Sequence, residues 1–242
     1  MSGSNSLDAA GVRAKVSHPI VDGDGHVLEA NQTILDYVKK IGGLEMALRY
    51  ENMDHPWKYQ DVQPIFWGQP SGPHSLDRAT AMLPKLYRER LDEAGIDVGI
   101  VYSTACLPLM HVRDDEVRQI GHRALNMLLA DIFSEVSDRL IPNAVIPMFS
   151  PAEALAELDF AVNELGFKAA TFGTEVRLAV PEIAKQASEL GKYTERVYPV
   201  ALDALHDYDP VWQRCIDLKI PVGCHTAARG GGGRHSSPSN FV

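Results

Sequence analysis

Short apolar segments alternate with amphipathic ones through most of this 242-residue sequence, and this alternation restricts the fold more than any other feature. The apolar segments predict strands at residues 20–27, 98–103, 140–149, 167–172 and 220–226. Helical spacing predicts helices at residues 33–48, 83–94, 117–136, 150–165, 181–190 and 209–218. Strands that alternate with helices form parallel βαβ units. The sequence therefore predicts an α/β fold, either a (β/α) barrel or an open doubly wound sheet, with functional side chains at the carboxyl ends of strands.

The first predicted strand carries polar side chains on one face. Asp22, Asp24 and His26 alternate there with valine and glycine. Carboxylates and an imidazole are costly to bury without a partner, and a divalent metal is a natural partner for Asp24 and His26. The alternative is a turn, because Asp-Gly-Asp-Gly is also typical of turns. His225, at the end of the last predicted strand, favours a shared metal site over a histidine that merely bonds to a loop.

Composition argues against several classes of function. The net charge of −9 argues against a nucleic-acid partner, which would favour a basic surface. No apolar run is long enough to span a bilayer, and the first residues lack the apolar core of a signal peptide. Three cysteines are too few for a disulfide framework, which predicts reduced thiols and a cytoplasmic protein. Residues 1–17 are predicted to be a loose leader.

Three further residues are candidates for contact with a substrate. Trp67 lies in an irregular, aromatic-rich insertion at residues 50–76, which predicts either a substrate lid or a surface loop with its own small cluster. His111 follows the second predicted strand, where the alternative is a solvated loop histidine. Arg229 lies in a glycine-rich segment after the last strand and could meet a substrate carboxylate. That segment lacks the Gly-Lys-Ser/Thr ending of a phosphate loop.

Five short motifs, taken in order, carry a family resemblance. They are Asp-x-His at the end of strand one, Glu-Ala-Gly-Ile-Asp-Val before strand two, Asp-Arg-Leu-Ile-Pro before strand three, Leu-Gly-Phe-Lys before strand four, and Asp-Pro-Val-Trp followed by Ile-Pro-Val-Gly-Cys-His-Thr at strand five. From about Pro19 onward the chain resembles the amidohydrolase-related branch of the metal-dependent amidohydrolase superfamily. That branch includes aminocarboxymuconate-semialdehyde decarboxylase and γ-resorcylate decarboxylase. The resemblance implies a distorted (β/α)₈ barrel with one catalytic metal, ligated here by Asp24, His26 and His225.

The same resemblance implies that the chain is incomplete. The family barrel has eight strands, whereas five are predicted here. Residues 18–242 are therefore expected to be the N-terminal portion of one TIM-barrel domain, an incomplete barrel of about five parallel strands. The histidine of strand six and the catalytic aspartate of strand eight would lie beyond Val242. We expect an exposed sheet edge after strand five, and a chain that is poorly soluble or inactive when expressed alone.

The function implied by the resemblance is that of a metal-dependent enzyme. It would hydrolyse a C–N or C–O bond, or decarboxylate an aromatic or unsaturated carboxylic acid. The expected ion is Zn²⁺, with Mn²⁺ as the alternative because Asp24 stands where many members have histidine. The expected partner is a small carboxylic acid, and the full-length form is a candidate homo-oligomer. An inactive remnant or interaction module and a barrel-type metal phosphoesterase remain open as alternatives.

Overall fold

The computed structural model describes residues 9–53, 72, 75–191, 193–202 and 204–225. Most of the predicted aromatic insertion, with Trp67, and the segment that carries Arg229 lie outside these residues. The described part of the predicted leader includes a short helix, α1 (Ala9–Arg13), whose Arg13 forms an ion pair with Asp97 at 2.9 Å.

Strands and helices alternate as predicted. The strands are β1 (Val21–Val27), β2 (Val98–Ser103), β3 (Leu140–Pro142), β4 (Ala144–Ile146), β5 (Ala170–Phe172), β6 (Glu175–Leu178), β7 (Arg196–Pro199) and β8 (Val222–Cys224). The remaining helices are α2 (Asn31–Glu51), α3 (Ser75–Met82), α4 (Pro84–Ala94), α5 (Cys106–Leu109), α6 (Asp115–Phe133), α7 (Pro151–Asp159), α8 (Pro181–Gln186), α9 (Ser188–Gly191) and α10 (Asp209–Leu218). Helix α7 continues into a π-helical turn at Phe160–Glu164. Among the described helices, none combines the length and apolar character needed to cross a bilayer.

The parallel strands follow one another in chain order. One sheet has the order β1-β2-β3, a second has the order β4-β5-β8, and every pair within them is parallel. Only Asn143 separates β3 from β4, so the two sheets continue each other. Strands β1 and β8 end this run, and within the described ranges each pairs on one side only. This arrangement matches the predicted incomplete barrel of about five parallel strands, whereas the exposed edge expected after strand five stays a prediction.

The predicted strand at residues 140–149 is divided at Asn143, directly after Pro142, which is the last residue of β3 and pairs with Val101 of β2. Proline has no N–H, so Pro142 itself donates no bond to a neighbouring strand. The Asn143 backbone N–H and side chain both donate to the Val101 carbonyl, at 2.9 and 3.2 Å, and β4 then pairs with β5 instead of β2. Asn126 in α6 fixes β4 from behind, since its side chain accepts from the Val145 N–H at 2.7 Å and donates to the Val145 carbonyl at 2.9 Å.

The connection after β5 contains an antiparallel hairpin, β6–β7, that the sequence did not predict. The helices α8 and α9 between its strands cover the short helix predicted at 181–190. Arg113, in the connection after β2, donates to the carbonyl oxygens of Thr194 at 2.9 Å and Gly191 at 3.4 Å. The connections after β2 and β5 are therefore bonded to each other at the carboxyl edge of the sheet.

Candidate metal centre

The structure brings together three side chains from the two ends of the strand order. Asp24 and His26 lie in β1, and His225 follows β8 directly. Although β1 and β8 are the outermost strands of the run, ligand atoms of these side chains all lie within 4.8 Å of one another. The run of strands must curve for its ends to meet in this way. That curvature is a property of barrels rather than of open sheets.

The separations between these atoms fit one divalent ion. The Nε2 atoms of His26 and His225 are 3.0 Å apart. Asp24 Oδ1 lies 3.8 Å from the His26 Nε2 and 3.5 Å from the His225 Nε2. Ligands placed 2.0–2.2 Å from one ion are separated by about 3.4 Å in a tetrahedral site and by about 3.0 Å in an octahedral one. One carboxylate and two imidazoles are also a donor set typical of such ions, so the residues fit a bound metal.

A β-bulge changes the face that β1 presents. Asp22 is paired with Gly99 and Gly25 with Val101, so β1 has one extra residue between these pairs. The predicted sharing of one face by Asp22, Asp24 and His26 is therefore only partly realised. Asp22 instead accepts a hydrogen bond from the Asp24 backbone N–H at 3.0 Å, which is the turn chemistry considered as the alternative. The Asp24 side chain is left 78% exposed, whereas that of His26 is 9% exposed.

The surroundings of His26 favour its neutral form. Burial and the neighbouring His225 lower the pKa of His26, and the carboxylates of Asp24 and Asp22 only partly oppose this. The His26 Nδ1 lies 3.3 Å from the Thr104 hydroxyl oxygen. A proton on Nδ1 leaves the Nε2 lone pair directed toward His225 and Asp24. Neutral imidazole is the form that binds a metal, so the site needs little rearrangement to accept one.

Tyr102 is a site residue that the sequence analysis missed. It lies in β2, paired in register with His26, and its ring centroid is 6.0 Å from that of His26 and 5.0 Å from that of His225. Its hydroxyl reaches the backbone of Gly223, where a Cβ would lie only 2.5 Å away. Burial, followed by the charges of Asp24 and Cys224, raises the pKa of Tyr102. Only the register between β1 and β2 reveals Tyr102, because register partners in parallel strands project to the same side.

Of the three residues predicted to contact a substrate, only His111 lies among the described residues. His111 lies between α5 and α6 and is 5% exposed, so the alternative of a solvated loop histidine is wrong. Its predicted contact with a substrate stays a prediction, as do those of Trp67 and Arg229, which lie outside the described residues.

Comparisons with known proteins agree with this arrangement. The sequence model of the amidohydrolase family matches residues 22–240, a range that contains all three candidate ligands. Decarboxylase orsB of Emericella nidulans is 30% identical over 105 residues, which are 43% of this chain and 25% of that protein.

Solved structures show the same fold at low sequence identity. An amidohydrolase of Mycobacterium avium subsp. paratuberculosis has a TM-score of 0.57 and 20% identity, over 89% of this chain and 60% of that one. A dihydroxybenzoic acid decarboxylase of Polaromonas with bound manganese and 2-nitroresorcinol has a TM-score of 0.54 and 19% identity. The match covers 92% of this chain and 52% of that one. A 5-carboxyvanillate decarboxylase of Novosphingobium aromaticivorans, also with bound manganese, has a TM-score of 0.53 and 15% identity. The match covers 86% of this chain and 51% of that one. The predicted fold class, an incomplete amidohydrolase-type barrel, is confirmed, and this chain spans about half to three fifths of the length of these structures.

Proposed function

This chain belongs to the amidohydrolase family, and on that premise we propose that Asp24, His26 and His225 hold the single divalent metal ion of a decarboxylase or hydrolase. The observation that carries the proposal is the convergence of three ligand atoms from β1 and β8 within 4.8 Å. The family match covers these positions but does not by itself choose the reaction.

Decarboxylation of an aromatic carboxylic acid is the reaction that the relatives favour. The sequence relative and two of the three structures described above are named as decarboxylases. A bound divalent ion supplies positive charge that can hold a carboxylate or phenolate oxygen, or that lowers the pKa of a bound water to about 7. In this chain Asp24 and the two imidazoles would hold the ion, and the Tyr102 ring lies beside both histidines. An aromatic acid bound to the ion could pack against that ring in an offset-stacked or edge-to-face arrangement.

Hydrolysis of a C–N or C–O bond is the second candidate, since the same ligands can serve metal-bound water. A barrel-type phosphoesterase is less well supported, because the ligand group found among the described residues contains only two histidines. We propose manganese as the first ion to test, since two of the related structures contain it, and zinc as the second. We also propose a cytoplasmic location, which rests on cysteines that form no disulfide within the described ranges.

Metal binding to the purified chain tests the proposal first. The protein is stripped with a chelator and titrated with Mn²⁺, while the loss of the free-ion EPR signal reports binding. We expect one ion per chain, and we expect His26→Ala and His225→Ala to abolish binding. His206→Ala removes an exposed histidine elsewhere and serves as the matched control. Equal binding by all four proteins would overturn the metal centre, and absence of binding in the unmodified chain would favour the remnant.

Turnover separates the two reactions. The metal-loaded protein is incubated with 2,6-dihydroxybenzoate and 5-carboxyvanillate, and release of CO₂ is followed together with the aromatic product. Turnover of either acid would contradict the expectation that this chain is inactive when expressed alone. If that turnover is decarboxylation, CO₂ and the decarboxylated phenol are released in equal amounts. Hydrolysis of an aryl ester or amide panel without CO₂ release from either acid would assign the hydrolase reaction instead.

A further inference from the structure

We infer that Thr104 is a positioning residue for His26, and that Glu29 holds Thr104 in place. The inference deepens the proposed metal centre and rests on it, because it concerns how one ligand of that centre is oriented. Neither residue is a candidate ligand, and neither belongs to the strand-end motif in β1.

We assign the Thr104 hydroxyl as the acceptor of a hydrogen bond from the His26 Nδ1–H, the direction that leaves Nε2 available to a metal. The Thr104 hydroxyl oxygen lies 3.3 Å from Nδ1, while Nε2 faces the other two ligands, 3.0 Å from the His225 Nε2. When Nδ1–H donates to this hydroxyl, the proton is kept away from Nε2, and the ring plane is fixed as well. Such outer partners of metal-bound histidines typically change metal affinity 10- to 100-fold when they are removed.

Thr104 is itself held from both sides of its peptide. Its own N–H donates to the Val27 carbonyl at 3.1 Å, which extends the ladder between β1 and β2. The next N–H, that of Ala105, donates to the Glu29 Oε2 at 3.0 Å. Both acceptors lie within three residues of His26 along the chain. These two backbone hydrogen bonds therefore fix the position of the Thr104 hydroxyl relative to the His26 imidazole.

Glu29 is an unusual choice for an ordinary turn. Its carboxyl group is buried, and burial raises the pKa of Glu29 to about 7. Within the described residues its second oxygen, Oε1, has no hydrogen-bond partner. A buried carboxyl group is costly unless it is hydrogen-bonded, and the bond from the Ala105 N–H to Oε2 offsets part of that cost. The backbone that this bond fixes is the one that places the Thr104 hydroxyl beside His26.

Substitution of Thr104 tests the inference through metal affinity. Thr104→Val keeps the shape and removes the hydroxyl, whereas Thr104→Ser keeps the hydroxyl. The control Thr194→Val removes a hydroxyl of similar burial whose two hydrogen bonds, from the Val180 N–H and to the Gly191 carbonyl, stay within its own loop. We expect Thr104→Val to weaken Mn²⁺ binding about 10-fold or more, with Thr104→Ser and Thr194→Val close to the unmodified protein. Affinity in Thr104→Val equal to that of the unmodified protein, or no recovery in Thr104→Ser, would overturn the inference.

A second readout does not need the metal. Two-bond ¹H–¹⁵N NMR of the metal-free protein reports which ring nitrogen of His26 carries the proton. We expect Nδ1–H in the unmodified protein and in Thr104→Ser, and a shift toward Nε2–H in Thr104→Val. If no metal binds but this switch is seen, the metal centre fails and the positioning role stands. If metal binds and no switch is seen, the positioning role alone fails.

Glu29 is tested for action through Thr104. Glu29→Gln keeps an oxygen that can accept from the Ala105 N–H and should keep the metal affinity. Glu29→Ala should weaken binding about as much as Thr104→Val, and the double variant should be little weaker than either, because both break the same path. Fully additive losses would show that Glu29 acts independently of Thr104 and would refute its assigned role.

Discussion

Replacing Gly223 with alanine tests how closely the Tyr102 ring supports the metal centre. A Cβ at position 223 would lie 2.5 Å from the Tyr102 hydroxyl oxygen, 3.1 Å from Cε1 and 3.2 Å from Cζ. Non-bonded heavy atoms are most stable at about 3.5–4.0 Å, so the hydroxyl must move by about 1 Å. The ring also packs against His225, with centroids 5.0 Å apart, so its displacement would move a candidate ligand.

Two quantities should change together. Overpacking of this kind destabilises proteins by about 1–3 kcal/mol, which we expect from urea denaturation of Gly223→Ala. Metal sites require ligand distances within about 0.2 Å, so we also expect Mn²⁺ affinity to fall about 10-fold or more. Gly23→Ala is the matched control, because a Cβ there meets nothing within 4 Å among the described residues.

The double variant Gly223→Ala/Tyr102→Phe isolates the cause. Removing the hydroxyl relieves the 2.5 Å contact and leaves the two contacts above 3.0 Å, so part of the stability should return. We expect a coupling free energy of about 1 kcal/mol between the two positions. Strictly additive effects, or a Gly223→Ala protein as stable as Gly23→Ala, would refute the reasoning that Tyr102 and Gly223 share a tightly packed contact beneath His225.

Three further predictions concern stability. Asn126→Ala leaves the buried N–H and carbonyl of Val145 without their side-chain partners, and urea denaturation should show a loss of about 2–4 kcal/mol; a loss below 1 kcal/mol would contradict this. The pKa of Glu29 is about 7 in the folded state and 4.5 in the unfolded state. The neutral carboxyl group therefore contributes its full stabilisation to the free energy of unfolding below pH 4.5, and this stabilisation is lost as the pH rises through 7. Glu29→Gln should therefore remove a decline in unfolding free energy of about 2 kcal/mol between pH 5 and pH 8, and an unchanged decline would disprove the assignment. Mn²⁺ at 100 times its dissociation constant should stabilise the protein by about 2.7 kcal/mol, and the same addition should leave His225→Ala unaffected.

Periodicity was sufficient to predict the main elements and the meeting of the candidate ligands. Strand alternation places Asp24 and His26 near one end of β1, and parallel pairing puts His225 at the same edge of the sheet. The bulge in β1 could not be predicted from the sequence, because an extra residue in one strand is defined only against the register of its partner strand. The same lack of register hid Tyr102 as a neighbour of both histidines.

The hairpin β6–β7 was missed for a different reason. Its first strand has a glutamate and an arginine among its buried residues, so it lacks the apolar pattern on which strand prediction depends. Arg177 pairs there with Glu175 and, at 3.0 Å, with Glu195. Buried charges become acceptable when they are paired, and that pairing is formed only after the chain has folded.

The bonds from Arg113 to the Thr194 and Gly191 carbonyl oxygens join two loops that are some eighty residues apart in sequence. Both loops follow strands that end at the edge holding the candidate ligands, so these bonds tie them into one continuous lip at that edge. Shortening the excursion at residues 175–199 would therefore also release the loop after β2. Relatives that differ in the substrate they bind are then expected to differ in both loops together, the loop after β2 and the excursion at residues 175–199.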